Sequence, residues 1–557
     1  MLLACALSFI IVMLWQEFVI KPTMENAPIP IPASQPKANN DNLIIDESAS
    51  ILPRIDEVSR GFTAGSRLPI RTLSINGSIN LHGARIDDIT LMRFREKLEA
   101  DSSNVALLSP QNTRQFYFAE FGWMQQGSSI MLPDRNTLWQ TDDNELSVEH
   151  PVKLTWINPQ GVKFILDISI DNGYMVRVKQ SVENNSRQPI ALSSYAMLSR
   201  NYSYSSENNM LIHEGAINVF NNTLQEIEFQ ELNEGKKNVF VDQQGWLGFS
   251  DKYWLTALIP DVGAKISGKF IGYPNRQNEI QYQADMATSE QIVKPGEIYS
   301  SSTKLFAGAK ELDLLQHYQG LYNIPLFDHA VDFGLLYFIT KPIFLLLHYF
   351  HDLIGNFGVA ILLLTVLIKL LLFPLAYKGF KGMNKMKDLQ PQMNTLREKY
   401  NDDPAAMQQA LLELYRKEQI NPLAGCLPII LQMPVFFALY KVLYVTIEMR
   451  HAKFFAWIVD LSAPDPANIF TLFGLFPWPH PEFLNIGVLP IIMAFTMYIQ
   501  QRLNPEPADP VQASVMRWLP AMFLFMFANF PSGLVLYWAW SNILSIGQQI
   551  FIKRITR

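Results

Sequence analysis

A series of long apolar segments between residues 359 and 552 restricts what this chain can fold into more than any other feature. Because a helix rises about 1.5 Å per residue, roughly 20 apolar residues cross a hydrocarbon core about 30 Å thick. The last apolar block, 518–552, is too long for one span, and Pro531-Ser532-Gly533 supplies a turn in its middle. We therefore predict five transmembrane helices, at about 359–377, 426–447, 483–501, 516–530 and 532–552.

Residues 1–20 form a further apolar segment that is just long enough to span the bilayer. A removed signal peptide would be followed by small residues at a cleavage site, whereas Lys21, Pro22 and Thr23 come next. We therefore predict an uncleaved transmembrane anchor, which is the sixth span. Residues 21–40 are rich in Pro, Ala and Asn and predict a flexible linker.

Between residues 41 and 330 the apolar residues fall in short runs separated by turn residues. In the segment 164–184, two alternating runs flank Asn172-Gly173, a dipeptide that accepts the positive φ angles of a tight hairpin. Many short strands over this length predict a large all-β sandwich.

Disulfides cannot hold this β domain together, because the two cysteines of the chain, Cys5 and Cys426, both lie outside it. Its aromatic residues have two interpretations. We interpret Trp156, Trp246 and Trp254 as part of the sandwich core, and a sugar-binding platform is the alternative.

Residues 331–357 are apolar and aromatic, but Lys341 and Pro342 interrupt them. Aromatic residues and His favour the membrane interface over the hydrocarbon core. We predict an interfacial amphipathic helix on the outer face of the membrane. A true span is the alternative, and it would be inconsistent with the topology that the loop charges indicate.

The loop charges orient the predicted spans. Basic residues concentrate in 378–425 and recur in 502–517 and after residue 552, whereas 448–482 holds only Arg450 and Lys453. Because Lys and Arg are enriched in cytoplasmic loops, we place the three basic regions in the cytoplasm. Six spans then put both termini of a multi-pass membrane protein in the cytoplasm and the β domain outside, which for the inner membrane of a bacterium is the periplasm.

Lys369, within the apolar span 359–377, is the main candidate functional residue. An ionisable side chain there costs about 2.5 to 3.5 kcal/mol on insertion, so it usually faces a polar cavity. Extension of its long side chain to the cytoplasmic interface is the alternative. Polar residues in the spans, among them Thr365 and Gln432, favour the cavity. They predict a hydrated groove that polar substrate segments enter without full desolvation.

The cytoplasmic loop 378–425 carries Met, Leu and Tyr residues at helical spacing. Asp403-Pro404 is a helix start, and Asn421-Pro422 is a stop. The loop therefore predicts an amphipathic helical hairpin. One interpretation is a Met-bearing lid that meets nascent chains, and the other is a solvated connector.

Motifs of catalytic chemistry do not occur in the sequence. It lacks a phosphate loop ending in Gly-Lys-Ser/Thr, a His-Glu-x-x-His helix, a Gly-x-Ser-x-Gly turn and a metal-spaced Cys/His cluster. A net charge of −6 disfavours direct nucleic-acid recognition. We therefore predict a protein that is not an enzyme and has no catalytic residues, cofactor or metal site.

Two alternative functions are open at this point. A secondary transporter or channel would use Lys369 as its substrate site, but internal repeats across the spans are lacking. An envelope-binding module would need a single anchor, and five further spans count against it.

Three segments resemble the YidC/Oxa/Alb family of membrane insertases. They are NPLAGCLPIILQMPVFFALYKVL (421–443), FPLAYKGFKGMNKMKDLQPQM (373–393) and FPSGLVLYWAWSN (530–542). GWLGFSDKYWLTALIP (245–260) resembles the periplasmic region of the Gram-negative branch. The resemblance implies a five-helix insertase core over 358–557 and a periplasmic β-supersandwich domain over 41–330.

The resemblance also implies how the chain acts. Nascent membrane proteins would slide along a hydrophilic groove in which Lys369 is the basic residue and Thr365, Gln432, Tyr537 and Trp538 contact substrate. The chain would insert and fold them alone or with the Sec translocon (SecYEG and SecDF), among membrane lipids. The cytoplasmic loops would contact the ribosome and the signal recognition particle receptor.

Overall fold

The computed structural model describes residues 53–99, 101–125, 130–202, 212–233, 238–242, 244–274, 279–334, 336–400, 403–418, 427–471, 486–504 and 510–555. All of them belong to one compact unit, Ile51–Arg557. The predicted anchor 1–20, the linker 21–40 and the helix stop at Asn421-Pro422 lie outside the described residues.

The first part of the described chain is built from antiparallel strands, preceded by helix α1 (Arg54–Thr63) and interrupted by the short helix α2 (Phe229–Asn233). The strands are β1 (Arg67–Arg71), β2 (Ile75–Asn80), β3 (Arg85–Arg95), β4 (Asn104–Leu108), β5 (Tyr117–Gln125), β6 (Val152–Ile157), β7 (Val162–Ile170), β8 (Met175–Asn184), β9 (Ile190–Asn201), β10 (Gly215–Phe220), β11 (Thr223–Glu228), β12 (Asn238–Asp242), β13 (Gly245–Ser250), β14 (Trp254–Pro260), β15 (Ile266–Pro274), β16 (Ile280–Thr288), β17 (Gln291–Val293) and β18 (Ile298–Ala309).

These strands form two sheets that pack face to face. One has the order β1-β2-β3-β5-β9-β16-β15-β12, with β4 beside β3 and β17 beside β9; the other has the order β11-β10-β13-β14-β18-β8-β7-β6. The Gln180 side chain of β8 crosses between the sheets and donates to the Gly122 carbonyl of β5 (2.7 Å). The predicted all-β sandwich is therefore confirmed, as is the hairpin at Asn172-Gly173, which joins β7 and β8. The expectation of positive φ angles at this dipeptide was wrong, because neither residue adopts one.

The tryptophans pack in this domain as core residues. Trp246 is fully buried, and its Nε1 donates to the Pro325 carbonyl at 2.9 Å, so its one polar group is satisfied. Trp156 packs against Phe164, with ring centroids 5.8 Å apart. Trp156 and Trp254 are partly buried and pack against the core, so the packing of all three agrees with their interpretation as core residues.

The second part of the described chain is helical. Its helices are α3 (Leu312–Tyr322), α4 (Tyr337–Ile354), α5 (Phe357–Leu371), α6 (Phe373–Asp388), α7 (Gln390–Lys399), α8 (Pro404–Lys417), α9 (Leu427–Val445), α10 (Val488–Leu503), α11 (Pro510–Met526) and α12 (Ser532–Ile555), with 3-10 turns at Phe327–Ala330, Ile447–Met449 and Phe527–Asn529.

The first predicted span of this region differs from the structure. We expected one helix over 359–377, but α5 ends at Leu371, and α6 begins at Phe373 after a bend of 67°. Pro374 explains the break, because it lacks a backbone N–H and its ring clashes with a preceding helical turn. By length and composition, none of the described helices qualifies singly as a membrane span, whereas α5 and α6 qualify together as a bent pair.

Helices α7 and α8 form the pair that the spacing of Met and Leu predicts. Asp403 caps α8, since its side chain accepts from the backbone N–H groups of Ala405 and Ala406. The Tyr415 hydroxyl of α8 contacts the Met393 sulfur of α7 at 4.0 Å. The predicted helix start at Asp403-Pro404 is therefore confirmed.

The β domain contacts the helical region beside the C-terminal end of α9. Lys252 Nζ lies 3.5 Å from the centre of the Tyr444 ring, a cation–π contact. Arg450, beyond α9, donates to a backbone carbonyl just after β3 (3.0 Å). Lys441 of α9 pairs with Asp332 at 2.7 Å and ties the segment before α4 to the same helix.

Glu448, in the 3-10 turn after α9, makes the contact between this turn and α3 sensitive to pH. Its Oε1 accepts from the backbone N–H of Leu312, the first residue of α3, at 3.4 Å. Its Oε2 is buried and has no hydrogen-bond partner among the described residues. The pKa of the Glu448 carboxyl is raised to about 7, mainly by burial and to a smaller extent by the nearby Glu311 and Asp313.

We expect the contact between Glu448 and α3 to weaken as pH rises. A carboxyl whose pKa is raised by docking supports the docked form fully below its ordinary pKa of 4.5, and this support is lost as pH rises through about 7. Amide exchange at Leu312, corrected for intrinsic rates, should be faster relative to exchange in α1 at about pH 8 than at about pH 5. Glu448→Gln should remove this difference, and an unchanged pH dependence in that variant would contradict the assignment.

Candidate functional site

The candidate site lies where α12 packs against α5 and α9. Ser541 and Ser545 are buried, one helical turn apart on α12. Small side chains at this spacing let neighbouring helices approach closely and offer hydroxyls to them. The same face of α12 therefore meets Lys369 of α5 and Gln432 of α9.

The Lys369 ammonium has neutral partners. Its Nζ donates to Ser545 Oγ at 2.8 Å and to Gln432 Oε1 at 3.3 Å. Within the part of the chain that the structure describes, Lys369 forms no ion pair with a carboxylate. The positive charge is thus solvated by a hydroxyl and an amide and is available to an anionic group.

A second set of hydrogen bonds holds these partners in place. Gln432 Nε2 donates to Ser541 Oγ at 2.8 Å, which turns its Oε1 toward Lys369. Gln548 Nε2, one turn beyond Ser545, donates to the backbone carbonyl of Lys369 at 3.2 Å. The network connects three helices through side chains that carry no charge other than that of Lys369.

A cavity of about 40 Å³ adjoins the ammonium at the bend between α5 and α6. Because a water molecule needs roughly 10 to 15 Å³ of such space, the cavity has room for a few of them. It is lined by Lys369, Gln432 and Ser545 on one side and by apolar residues of α6, including Leu375 and Phe380, on the other. The site is therefore a small polar pocket covered by α6. It is too small for a polypeptide segment unless it widens.

Four of the five predicted groove residues meet at this cavity, namely Lys369, Thr365, Gln432 and Tyr537. The Thr365 hydroxyl donates to the Ile361 carbonyl of its own helix at 2.6 Å. Trp538 lies elsewhere: its ring packs edge-on against Phe436, with centroids 4.8 Å apart, and it does not line the cavity.

Ser545 and Gln548 are part of the site, although we did not expect them from the sequence. Ser541, Ser545 and Gln548 follow one another at intervals of four and three residues, so they share one face of α12. That spacing is the signal that could have identified them. Among the described residues, no group of three or more His, Cys, Asp or Glu side chains could hold a metal ion.

We expect Ser545→Ala to expose Lys369 to solvent reagents. The substitution removes the shorter of its two hydrogen bonds, and a hydrogen bond to a charged group contributes about 1.5 to 3 kcal/mol. Because cavity water replaces part of this, the rate at which a water-soluble amine reagent modifies Lys369 should rise about two- to fivefold. Ser545→Thr keeps the hydroxyl and serves as the control. Equal rates in the Ala and Thr variants would show that Ser545 does not hold the ammonium.

The chain matches two known families over almost all of its described length. Residues 67–346 match the family described as YidC periplasmic domain, and residues 349–557 match the family described as 60Kd inner membrane protein. A solved structure titled as an active YidC insertase with its first transmembrane domain resolved is 18% identical, covers 86% of this chain and 92% of its own, and has a TM-score of 0.36.

Similar curated proteins extend over the whole chain. The membrane protein insertase YidC of Rickettsia akari (strain Hartford) is 46% identical over 552 residues, which is 99% of this chain and 98% of the relative. That of Rickettsia bellii (strain OSU 85-389) is 45% identical over 555 residues, 100% of this chain and 98% of the relative. Identity at this level over full length leaves one conclusion. The chain belongs to the YidC family of membrane protein insertases.

Proposed function

We propose that this protein inserts and folds inner-membrane proteins, and that the polar pocket around Lys369 widens to receive the hydrophilic part of each substrate. The observation that carries the proposal is a lysine ammonium held by Ser545 and Gln432 and by no described carboxylate. Relatives that are 45 to 46% identical bear the name membrane protein insertase, which supports the activity. The proposal requires positioning and solvation and no catalytic chemistry.

The pocket offers an acidic segment a partner that none of the described carboxylates occupies. In a medium of low dielectric constant, two opposite charges about 4 Å apart attract several-fold more strongly than in water. An Asp or Glu of the substrate that approaches Lys369 replaces no ion pair within the described part of the chain. The pocket therefore lowers the cost of bringing a polar tail into the membrane, which is the main barrier to its translocation.

The apolar part of the substrate needs a surface next to the pocket. Helix α11 exposes Trp518, Met522 and Phe525, and α10 exposes Phe495. Aromatic and Met side chains adapt to varied apolar partners. We propose that the substrate's transmembrane segment lies along these faces and leaves them laterally into lipid.

The six-span topology predicted above is part of this proposal, with both termini in the cytoplasm and the β domain in the periplasm. Helix α4 supports its assignment to the outer interface, because it buries Phe344 and Leu347 and exposes Phe338, Tyr349 and Leu353. Such a helix has one face for protein and one for lipid.

The proposed partners beyond the substrate are the Sec translocon, the ribosome and the signal recognition particle receptor. Helices α6, α7 and α8 support the last two, since they expose several basic side chains. These are Lys378, Lys381, Lys385, Lys387, Lys399 and Lys417. A cluster of positive charge of this kind attracts ribosomal RNA and acidic protein surfaces without sequence-specific recognition.

Photocrosslinking to stalled nascent membrane proteins tests the proposed path. A photoreactive residue at position 369 or 432 should form adducts with the substrate, because both positions line the pocket. Position 538 is the matched control: it lies on the same helix as Ser545, but its side chain packs against Phe436. Adducts at 538 with none at 369 and 432 would place the path elsewhere.

A further inference from the structure

The connection between α9 and α10 contains a compact loop, residues 452–461, whose backbone is hydrogen-bonded to itself. The Leu461 N–H donates to the Ala452 carbonyl at 2.8 Å and closes the loop, and the Phe454 N–H donates to the Ile458 carbonyl at 3.0 Å. Two residues of the loop, Ile458 and Leu461, are buried. The loop therefore has a fixed shape, in which the orientation of each side chain is defined.

This loop lies across the first turns of α5 and α12. Phe454 packs on Gly358 near the start of α5, where an added Cβ would fall 2.0 Å from the ring, so only glycine fits. The Gly533 N–H, at the start of α12, donates to the Leu461 carbonyl at 2.9 Å. Because both helices begin here, the loop lies at one end of the helical bundle.

The tip of the loop directs apolar side chains away from the protein. Phe455 is 60% exposed, Trp457 is 40% exposed and Val459 is 42% exposed, while Ile458 between them is buried. Ala456 at the apex has a φ of 56°, a left-handed conformation that costs an L residue energy and forms the turn. Trp457 is held by Asp465, to which its Nε1 donates at 3.0 Å.

We propose that the aromatic tip, Phe455-Ala456-Trp457, inserts into the phospholipid interface at this surface of the membrane. The inference rests on the proposed assignment of α5, α10 and α12 as spans. Exposed aromatic residues at helix ends fit the boundary between acyl chains and headgroups, where the amphipathic indole is most stable. The neighbouring Lys453 is exposed and can reach lipid phosphate.

The occupant that fits this surface is lipid, because the tip adjoins an exposed apolar helix face. Asp465 connects the tip to α10, since it accepts from Trp457 and from the backbone N–H of Leu489 at 2.7 Å. Phe495, two turns into α10, is 63% exposed and apolar. A protein partner would have to contact both the loop tip and an apolar surface that continues along the bundle. The tip therefore fixes the depth in the bilayer at which α5 and α12 begin. These two helices carry Lys369 and Ser545.

Spin labels in reconstituted protein test the insertion. With Cys5 and Cys426 replaced by Ser, labels are placed one at a time through Phe455→Cys, Leu73→Cys and Phe495→Cys, in vesicles of phosphatidylethanolamine and phosphatidylglycerol. Leu73, 81% exposed in the β domain, is the aqueous control, and Phe495 is the hydrocarbon control. We expect the ratio of oxygen to nickel-chelate collision rates at 455 to exceed that at 73 by about fivefold or more.

The outcomes separate this inference from the proposed function. A label at 455 that behaves like 73, while 495 reports lipid, overturns the insertion of the tip and leaves the spans intact. A label at 455 that is shielded from both reagents also overturns it, in favour of a protein contact. If 495 reports water as well, the assignment of the spans fails. A second measurement uses a fluorescent label at position 453 and brominated lipid as the quencher. The variant Phe455→Ser, with Trp457 retained, should show at most half the quenching seen with Phe455 in place.

Discussion

Replacing Lys369 with glutamate should slow the insertion of substrates with acidic translocated tails by about tenfold or more. Among the described residues the ammonium is the one charge in a network of hydroxyl and amide groups, so charge reversal turns attraction into repulsion at the same place. A tenfold change in rate corresponds to about 1.4 kcal/mol of activation free energy. This is less than the interaction energy of roughly 4 kcal/mol between two unit charges about 4 Å apart near a protein surface. The measurement is the initial rate of insertion into proteoliposomes, with protease protection as the readout.

Matched variants separate charge from shape. Lys369→Arg keeps the charge and should retain most of the rate, while Lys369→Ala should lie between Arg and Glu, about three- to tenfold below the parent. Substrates whose translocated tails carry no acidic residue serve as the control and should respond weakly to all three changes. Normal insertion of acidic tails by the Glu variant would exclude an electrostatic role for Lys369.

The β domain was predictable from the sequence because its signals are local. Asn172-Gly173 marks a turn between two strands whose alternation shows within a few positions, although neither residue adopts the positive φ that we expected there. In β7, Val162, Phe164 and Leu166 are buried as that alternation requires. The order of the strands in the two sheets depends on contacts between distant residues, which no local pattern contains.

The sequence predicted the principal residue of the site, Lys369, but not all of the hydrogen-bond partners that surround it. Lys369 is conspicuous because a charge in an apolar segment is costly, whereas Ser545 is an ordinary small residue on any helix. The role of Ser545 depends on how α12 is rotated against α5, which tertiary packing determines. The bend at Leu372 was missed because we treated Pro374 as part of a span, although its backbone chemistry favours the start of a new helix.

Asp87→Ala should destabilise the β domain by about 3 to 5 kcal/mol, the largest effect on stability that we expect. The Asp87 carboxylate accepts two bonds from Arg67, at 2.8 and 3.1 Å, and both side chains are almost fully buried. Without it the guanidinium remains buried beside Ser78, and the neighbouring carboxylate, Asp88, is already paired with Arg54. At about 2 to 4 °C per kcal/mol, the thermal midpoint of this domain should fall by about 6 to 20 °C. The full-length protein in detergent reports this through tryptophan fluorescence, because Trp123, Trp139 and Trp246 are buried in this domain.

Two further variants show whether the loss comes from an uncompensated charge. Glu145→Ala breaks the pair with Arg71, which is exposed and 3.6 Å long, and should change stability by less than about 1 kcal/mol. The double variant Arg67→Met with Asp87→Leu removes both buried charges, and it should recover most of the stability that Asp87→Ala loses. If the double variant were as unstable as the single one, the pair would contribute through hydrogen bonds that apolar side chains cannot replace. Recovery would instead mean that the cost lies in the guanidinium left buried without its carboxylate.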